Sequence, residues 1–241
     1  MMRVLIACEF SGRVRDAFRA KGHDAWSCDL LPTEQPGPHI QDDVLKHLND
    51  GWDLMIAHPP CTYLTNSGVC WLFNYKGKSL PSWEVFALTG YTEKNYKKVN
   101  IPRFRKMHKA AEFFSKLLLA DIPKIAIENP IQHKYAYASI LMRMPFEKIR
   151  YAQNDQIIQP WMFGHPEQKA TCLWLKNLPK LEPTNNVKEQ MMKLPDNKRQ
   201  RLHYMPPSSD RWKNRSRTFP GIAQAMADQW GSPERETGSM N

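Results

Sequence analysis

At 241 residues, with 41% hydrophobic and 24% charged content, the chain has the size of one large domain and the make-up of a protein with a packed core, which excludes a disordered, collagen-like or coiled-coil polymer. No run approaches the roughly 18 apolar residues of a membrane helix, and the apolar run in MMRVLIACEFSG is too short for a signal peptide, so a cytoplasmic protein is expected. The net charge of +10 is lopsided: residues 1–60 hold six Lys/Arg against nine Asp/Glu, and residues 61–241 hold twenty-eight against fifteen. Lys94 to Lys109 and Lys193 to Arg217 are basic runs, and Trp71, Phe73, Tyr75, Trp83, Tyr91, Tyr96 and Phe104 lie in or near the first. Cations that hold phosphates and rings that stack on bases suit a polyanion such as DNA; a solvated charged surface reads equally well. The five cysteines form no CxxC pair, so neither a disulfide scaffold nor a metal site is expected.

In chain order, short apolar runs alternate with amphipathic stretches, the pattern of βαβ units in a parallel sheet. Arg3 to Ala7 reads as a strand, Phe10 to Gly12 as a turn, and Arg13 to Ala20 as a helix stopped at Gly22. Asp24 to Cys28 is a second strand ending at Asp29, and Asp53 to Ala57 a buried strand running into His58, Pro59, Pro60 and Cys61. Residues 69–102 show no sustained period and read as a long functional loop contacting the active site or DNA. Arg105 to Ala120 has helical spacing, and Lys124 to Ile127 is a strand delivering Glu128, Asn129 and Pro130. Further strands are expected near Ile149 to Tyr151 and Cys172 to Leu175, with a last helix over Ile222 to Trp230. The whole, residues 1–241, is read as a single catalytic domain with a doubly wound, mostly parallel α/β sheet, and three motifs fall at the carboxyl ends of strands, where such sheets bind ligands.

Each motif alone has two readings. CEFSG could approach a nucleoside, with Asp29 placed for ribose hydroxyls, or be only a turn. In AHPPCTYL, two prolines stiffen the backbone ahead of Cys61, which is either an aimed nucleophile or a buried structural thiol. In IAIENP, burial is expected to raise the pKa of Glu128 and keep it able to donate a hydrogen bond to a heterocycle, unless it is a helix cap or ion-pair partner.

Together, FSG, PPC and ENP in this order resemble the C5 cytosine DNA methyltransferase family over most of the chain. The family's FxGxG turn looks like Phe10 to Gly12, its ribose acid like Asp29, its next acid like Asp43, its PPC motif like Pro59 to Cys61, and its ENV motif like Glu128 to Pro130. Its QxRxR stretch looks like FGHPEQKATCLWL, and its last motif like RSRTFPGIAQAMA. The resemblance implies the S-adenosylmethionine-dependent methyltransferase (Rossmann-like) fold, with the cofactor S-adenosyl-L-methionine held by Phe10, Gly12, Asp29 and Asp43. It implies DNA as partner and substrate, with Pro60 and Lys169 contacting the base. Cys61 would add to carbon 6 of a flipped cytosine while Glu128 holds N3 and the exocyclic amine, activating carbon 5 for methyl transfer.

The departures are specific. Gly12 is followed by Arg13 and Val14, so the second glycine of the cofactor turn is missing, and Glu167, Lys169 and Thr171 stand for the family's Gln, Arg and Arg. Residues 176–215 form a short basic insertion in place of a target-recognition domain, which implies a short or degenerate target. Arg215, Ser216 and Arg217 replace neutral residues, expected to face phosphate or else to admit a cofactor with an extra carboxylate. The competing readings are a DNA-binding homologue or decoy with impaired catalysis, a modifier of free cytosine nucleotides, and an amino-methyltransferase, the last opposed by His58 and Cys61 flanking the prolines.

Overall fold

In the computed structural model, which describes residues 1–73 and 99–232, seven strands form one sheet in the order β3-β2-β1-β4-β5-β7-β6. They are β1 (Arg3–Ala7), β2 (Asp24–Asp29), β3 (His39–Gln41), β4 (Leu54–Ala57), β5 (Lys124–Pro130), β6 (Gln156–Ile158) and β7 (Thr171–Lys176). Strands β1 to β5 pair in parallel, and β7 runs antiparallel to both β5 and β6. The order reverses direction between β1 and β4, which opens a crevice at their carboxyl ends.

The continuous apolar runs of β1 and β4 are buried on both faces, and alternate side chains feed two cores. Val4 and Ile6 pack with Val14 and Phe18 of α1 (Arg13–Ala20) and with Ile222, Met226 and Trp230 of the last helix (Pro220–Trp230). Leu5, Met55 and Ile125 pack instead with Phe104, Met107 and Phe114 of α2 (Ile101–Leu118) and Ile140 of α3 (Lys134–Leu141). Each large buried side chain contributes about 1.5–3 kcal/mol, so the sheet is clamped from both sides.

The sequence places α2 four residues late. Asn100 caps it by accepting from Arg103 N, and Pro102 lies in the first turn, where its missing N–H is harmless, so the stretch that looked irregular already belongs to the helix. The strand expected at Ile149 to Tyr151 is a 3₁₀ turn over Phe146–Ala152, and the edge strand is β6 instead. Residues 146–152 leave Phe146 and Ile149 exposed, whereas β6 pairs with β7 and the Gln156 side chain bonds both Leu181 N and O in the segment that follows β7. Of the loop read at 69–102, residues 74–98 lie outside the described residues; residues 66–72 form a 3₁₀ turn. The basic stretch 176–215 carries short helices: α4 (Lys188–Met192), α5 (Asp196–Arg199), α6 (Arg201–Tyr204) and α7 (Arg211–Ser216), ahead of α8, the last helix. No helix among the described residues is long and apolar enough to cross a membrane.

Candidate active site

The chain after β4 is rigid for local reasons. His58 N donates to Ala7 O at 2.9 Å, Leu64 N donates to Cys61 O at 3.0 Å, and the Asn129 amide after β5 donates to Pro59 O at 2.9 Å. Asn129 thereby ties the two strand ends that carry Cys61 and Glu128. Pro59 is buried, Pro60 is exposed, and Cys61 is half-buried. Burial pushes the Cys61 thiol above its ordinary pKa, and the cations Lys169 and Arg215 pull against that shift.

Glu128 is nearly enclosed, with its side chain 10% exposed. Its Oε2 lies 3.1 Å from His58 Nδ1 and accepts from Thr218 Oγ1 at 3.4 Å, and its Oε1 lies 3.8 Å from Lys169 Nζ. Burial alone would raise its pKa, as the sequence suggested. The bond from His58 and the charge of Lys169 outweigh burial and hold Glu128 well below the usual carboxylate range, so it is ionised at neutral pH. For His58, burial works against the imidazolium, but Glu128, with Glu9 behind it, lifts the pKa above the ordinary histidine value against the opposing Lys169.

Lys169 reaches the site through the reversal of β7. Antiparallel register sets Thr171 opposite Pro130 and Leu173 opposite Glu128, so the residues entering β7 arrive at the carboxyl edge of β5. Thr218 arrives from the entrance to α8. There a side-chain carbon at Gly221 would overlap the Phe163 carbonyl, and Gly221 N donates to His165 Nε2 at 2.9 Å.

The other expected residues gather at the ends of β1 and β2. Cys8 has a φ of 59°, a left-handed conformation uncommon outside glycine, and the chain doubles back there. The buried Glu9 carboxylate then accepts from Val14 N at 2.8 Å, Arg15 N at 3.2 Å and Ser11 Oγ at 3.1 Å, which caps α1. Gly12, at φ 73°, makes the left-handed turn into the helix. Arg15 is fully buried and bonds Asp16, Ser27, Thr33 and the carbonyls of Gln35 and Pro36; it packs so close to Gly12 that a side chain there would collide with it. Asp29 accepts from Leu31 N, and Asp43 from Leu45 N. Asp29 and Asp43 are close enough to Cys8 to add to the burial that raises its thiol pKa.

The basic stretch closes over this region. The ring of Trp212 in α7 packs at a tilt 5.8 Å from Phe10, Arg13 donates to Thr218 O, and Arg217 makes a two-pronged ion pair with Glu34 at 2.6 and 2.8 Å. Arg217 therefore does not stand free to face phosphate, while Arg215 lies within electrostatic reach of Cys61. A cavity of about 400 Å³ opens beside Thr218, lined by Arg13, His165, Glu167, Arg201, Asn214 and Arg217. Sequence reading missed His58, Thr218, Glu9 and Arg15. Of these His58, flanking the prolines, Glu9, beside the turn, and Thr218, in RSRTFPGIAQAMA, sit within the motifs that the sequence singled out, and Arg15 does not.

The sheet order, with helices on both faces, makes this an α/β protein of the doubly wound, Rossmann-like class, as the sequence led us to expect. Within that sheet β7 lies antiparallel between β5 and β6. Against protein-family models and curated proteins the sequence has no match. Among solved structures it is similar to a candidate DNA modification methyltransferase encoded within a prophage (E. coli), at 14% identity and a TM-score of 0.41 over 81% of this chain and 56% of that one. It is similar to the methyltransferase EhMeth of Entamoeba histolytica, at 14% identity and 0.41 over 78% and 58%, and to the Dnmt2 methyltransferase of S. pombe, at 12% and 0.36 over 88% and 62%. The chain thus spans less than two thirds of the length of each.

Proposed function

We propose that the chain is a DNA methyltransferase that uses S-adenosyl-L-methionine to methylate carbon 5 of cytosine through a covalent Cys61 adduct. What supports this reading is the meeting of a rigidly mounted thiol, a carboxylate and a cation, Cys61, Glu128 and Lys169, at the carboxyl edge of adjacent strands. Cytosine carbon 5 is a poor nucleophile. A thiolate adding to carbon 6 makes it enamine-like, provided the ring nitrogen N3 gains a proton as charge develops.

Glu128 is the group for that nitrogen and for the exocyclic amine. Ionised, it accepts from the amine; protonated, it donates to N3. Lys169 favours the thiolate of Cys61, and the exposed Pro60 beside it would contact the base. The acids Asp29 and Asp43 fit the proposed cofactor, since its ribose hydroxyls and amines need acceptors and its sulfonium needs negative potential. Phe10 and Gly12 would pack against it, and when bound it supplies an electrophilic methyl group. Glu9 already caps α1, so the first N–H groups of that helix are not free to hold the cofactor's carboxylate. The surplus cations of residues 61–241 would grip the phosphates of a strand whose target base has left the stack.

Co-expression with a plasmid in a host free of DNA methylation, followed by mass spectrometry of the plasmid nucleosides, tests the reading. We expect 5-methylcytosine with the wild-type chain and none with Cys61→Ser, which should still bind DNA. Absence of the modified base with the wild-type chain, or its persistence with Cys61→Ser, refutes it.

A further inference from the structure

We propose that His58 is a positioning residue and proton store for Glu128: its Nδ1 orients the carboxylate and hands it the proton that Glu128 passes to N3 of the target base. The inference rests on the function proposed above and adds a role that neither the PPC nor the ENP motif assigns.

The geometry leaves the ring one partner. His58 is fixed by its backbone bond to Ala7 in β1, its side chain is 11% exposed, and its Nδ1 lies 3.1 Å from Glu128 Oε2. Its Nε2 is buried and has no hydrogen-bond partner among the described residues. A ring with both nitrogens engaged could pass protons onward, whereas this one can exchange only with Glu128. The charged groups facing it are Glu128 from β5, Glu9 from the turn after β1 and Lys169 from the approach to β7, two acids against one cation. His58 Nδ1, 3.1 Å from the carboxylate and favoured in its protonated form by it, is thus placed to store one proton beside the position of the base.

The proton count closes. Cys61, having lost its proton to solvent, gives its sulfur lone pair to carbon 6, and the displaced ring electrons take up a proton at N3. That proton comes from Glu128, which takes the Nδ1 proton of His58 and leaves a neutral imidazole. Once carbon 5 carries the new group, its own proton leaves to water, the freed electron pair re-forms the carbon 5–carbon 6 double bond as the thiolate is expelled, and N3 returns its proton to Glu128, so that the imidazolium re-forms. Held ionised by His58 and Lys169, Glu128 has no proton of its own to give and draws on the one His58 carries.

The test uses the full chain with a cytosine-containing duplex. His58→Asn keeps an amide donor toward Glu128 but stores no proton. We expect a loss of roughly 10²-fold in single-turnover rate at neutral pH with unchanged DNA affinity, of the size general-acid contributions reach. We also expect the alkaline decline of the wild-type rate, which follows deprotonation of His58, to vanish in the variant. A wild-type rate in His58→Asn, or a loss that is the same at every pH, overturns the proposal. A second arm is independent of turnover: NMR titration of His58 in wild type and in Glu128→Gln. The midpoint should lie above the ordinary value of about 6.5 in wild type and fall in Glu128→Gln, where burial acts with less opposition. An unmoved midpoint overturns the pairing, whereas failure of the wild-type chain to modify cytosine overturns the function and leaves this arm to decide the pair.

Discussion

Cutting the ion pair between Glu34 and Arg217 should loosen the closure of residues 211–217 over the turn at residues 10–13. The two side chains are 30% and 25% exposed, so solvent screens the pair, and exposed pairs contribute only about 0.2–1 kcal/mol. The two-pronged geometry puts this one near the top of that range, about 1 kcal/mol. Because the pair joins residues 183 apart in sequence, it holds two segments together and not one helix turn. Glu34→Ala should therefore lower the melting temperature by about 2–4 °C, and weaken cofactor binding about fivefold if closure shapes that site. The pair holds Glu34 below its ordinary pKa and Arg217 above its own. A depressed carboxylate stabilises the fold above its unfolded pKa, and that contribution is lost as pH falls through the folded value. A double-mutant cycle of Glu34→Ala and Arg217→Ala, read by thermal unfolding at low and high salt and at pH 7 and pH 3.5, measures the coupling. Coupling near zero at pH 7 and low salt, or the same coupling at both pH values, would refute the reasoning.

Lys169→Met removes a cation that draws the Cys61 thiol pKa down, so iodoacetamide should alkylate Cys61 more slowly at mildly alkaline pH; faster alkylation contradicts the assignment. Arg15→Met strips a fully buried guanidinium from five partners and should cost about 3 kcal/mol or more in denaturant unfolding, and a cost below about 1 kcal/mol would show that the network is dispensable. Lys198→Ala, in the basic stretch, should lower the slope of log K for DNA against log salt by about 1, and an unchanged slope would take that lysine off the phosphates.

The strands β1, β2, β4 and β5 and the helices α1, α2 and α8 were legible because their signal is local. An apolar run or a 3.6-residue period reports burial without reference to any partner. The same locality made Cys61 and Glu128 readable, since each sits where an apolar strand ends. The short strands β3 and β6 were not legible, because three residues carry no period and exist only through neighbours such as Ser27 with Pro38 and His39, or Gln156 with Leu181. Lys169 could be singled out from a motif, but its place beside Glu128 follows from the antiparallel register of β7, a pairing of distant residues that no local pattern encodes. The ionisation of Glu128 was decided the same way. The sequence saw only the apolar strand around it and implied a raised pKa, while the folded chain brings His58, Lys169 and Thr218 to the same carboxylate from three other segments. Coulombic and hydrogen-bond terms depend on distance in space, and only tertiary structure sets those distances.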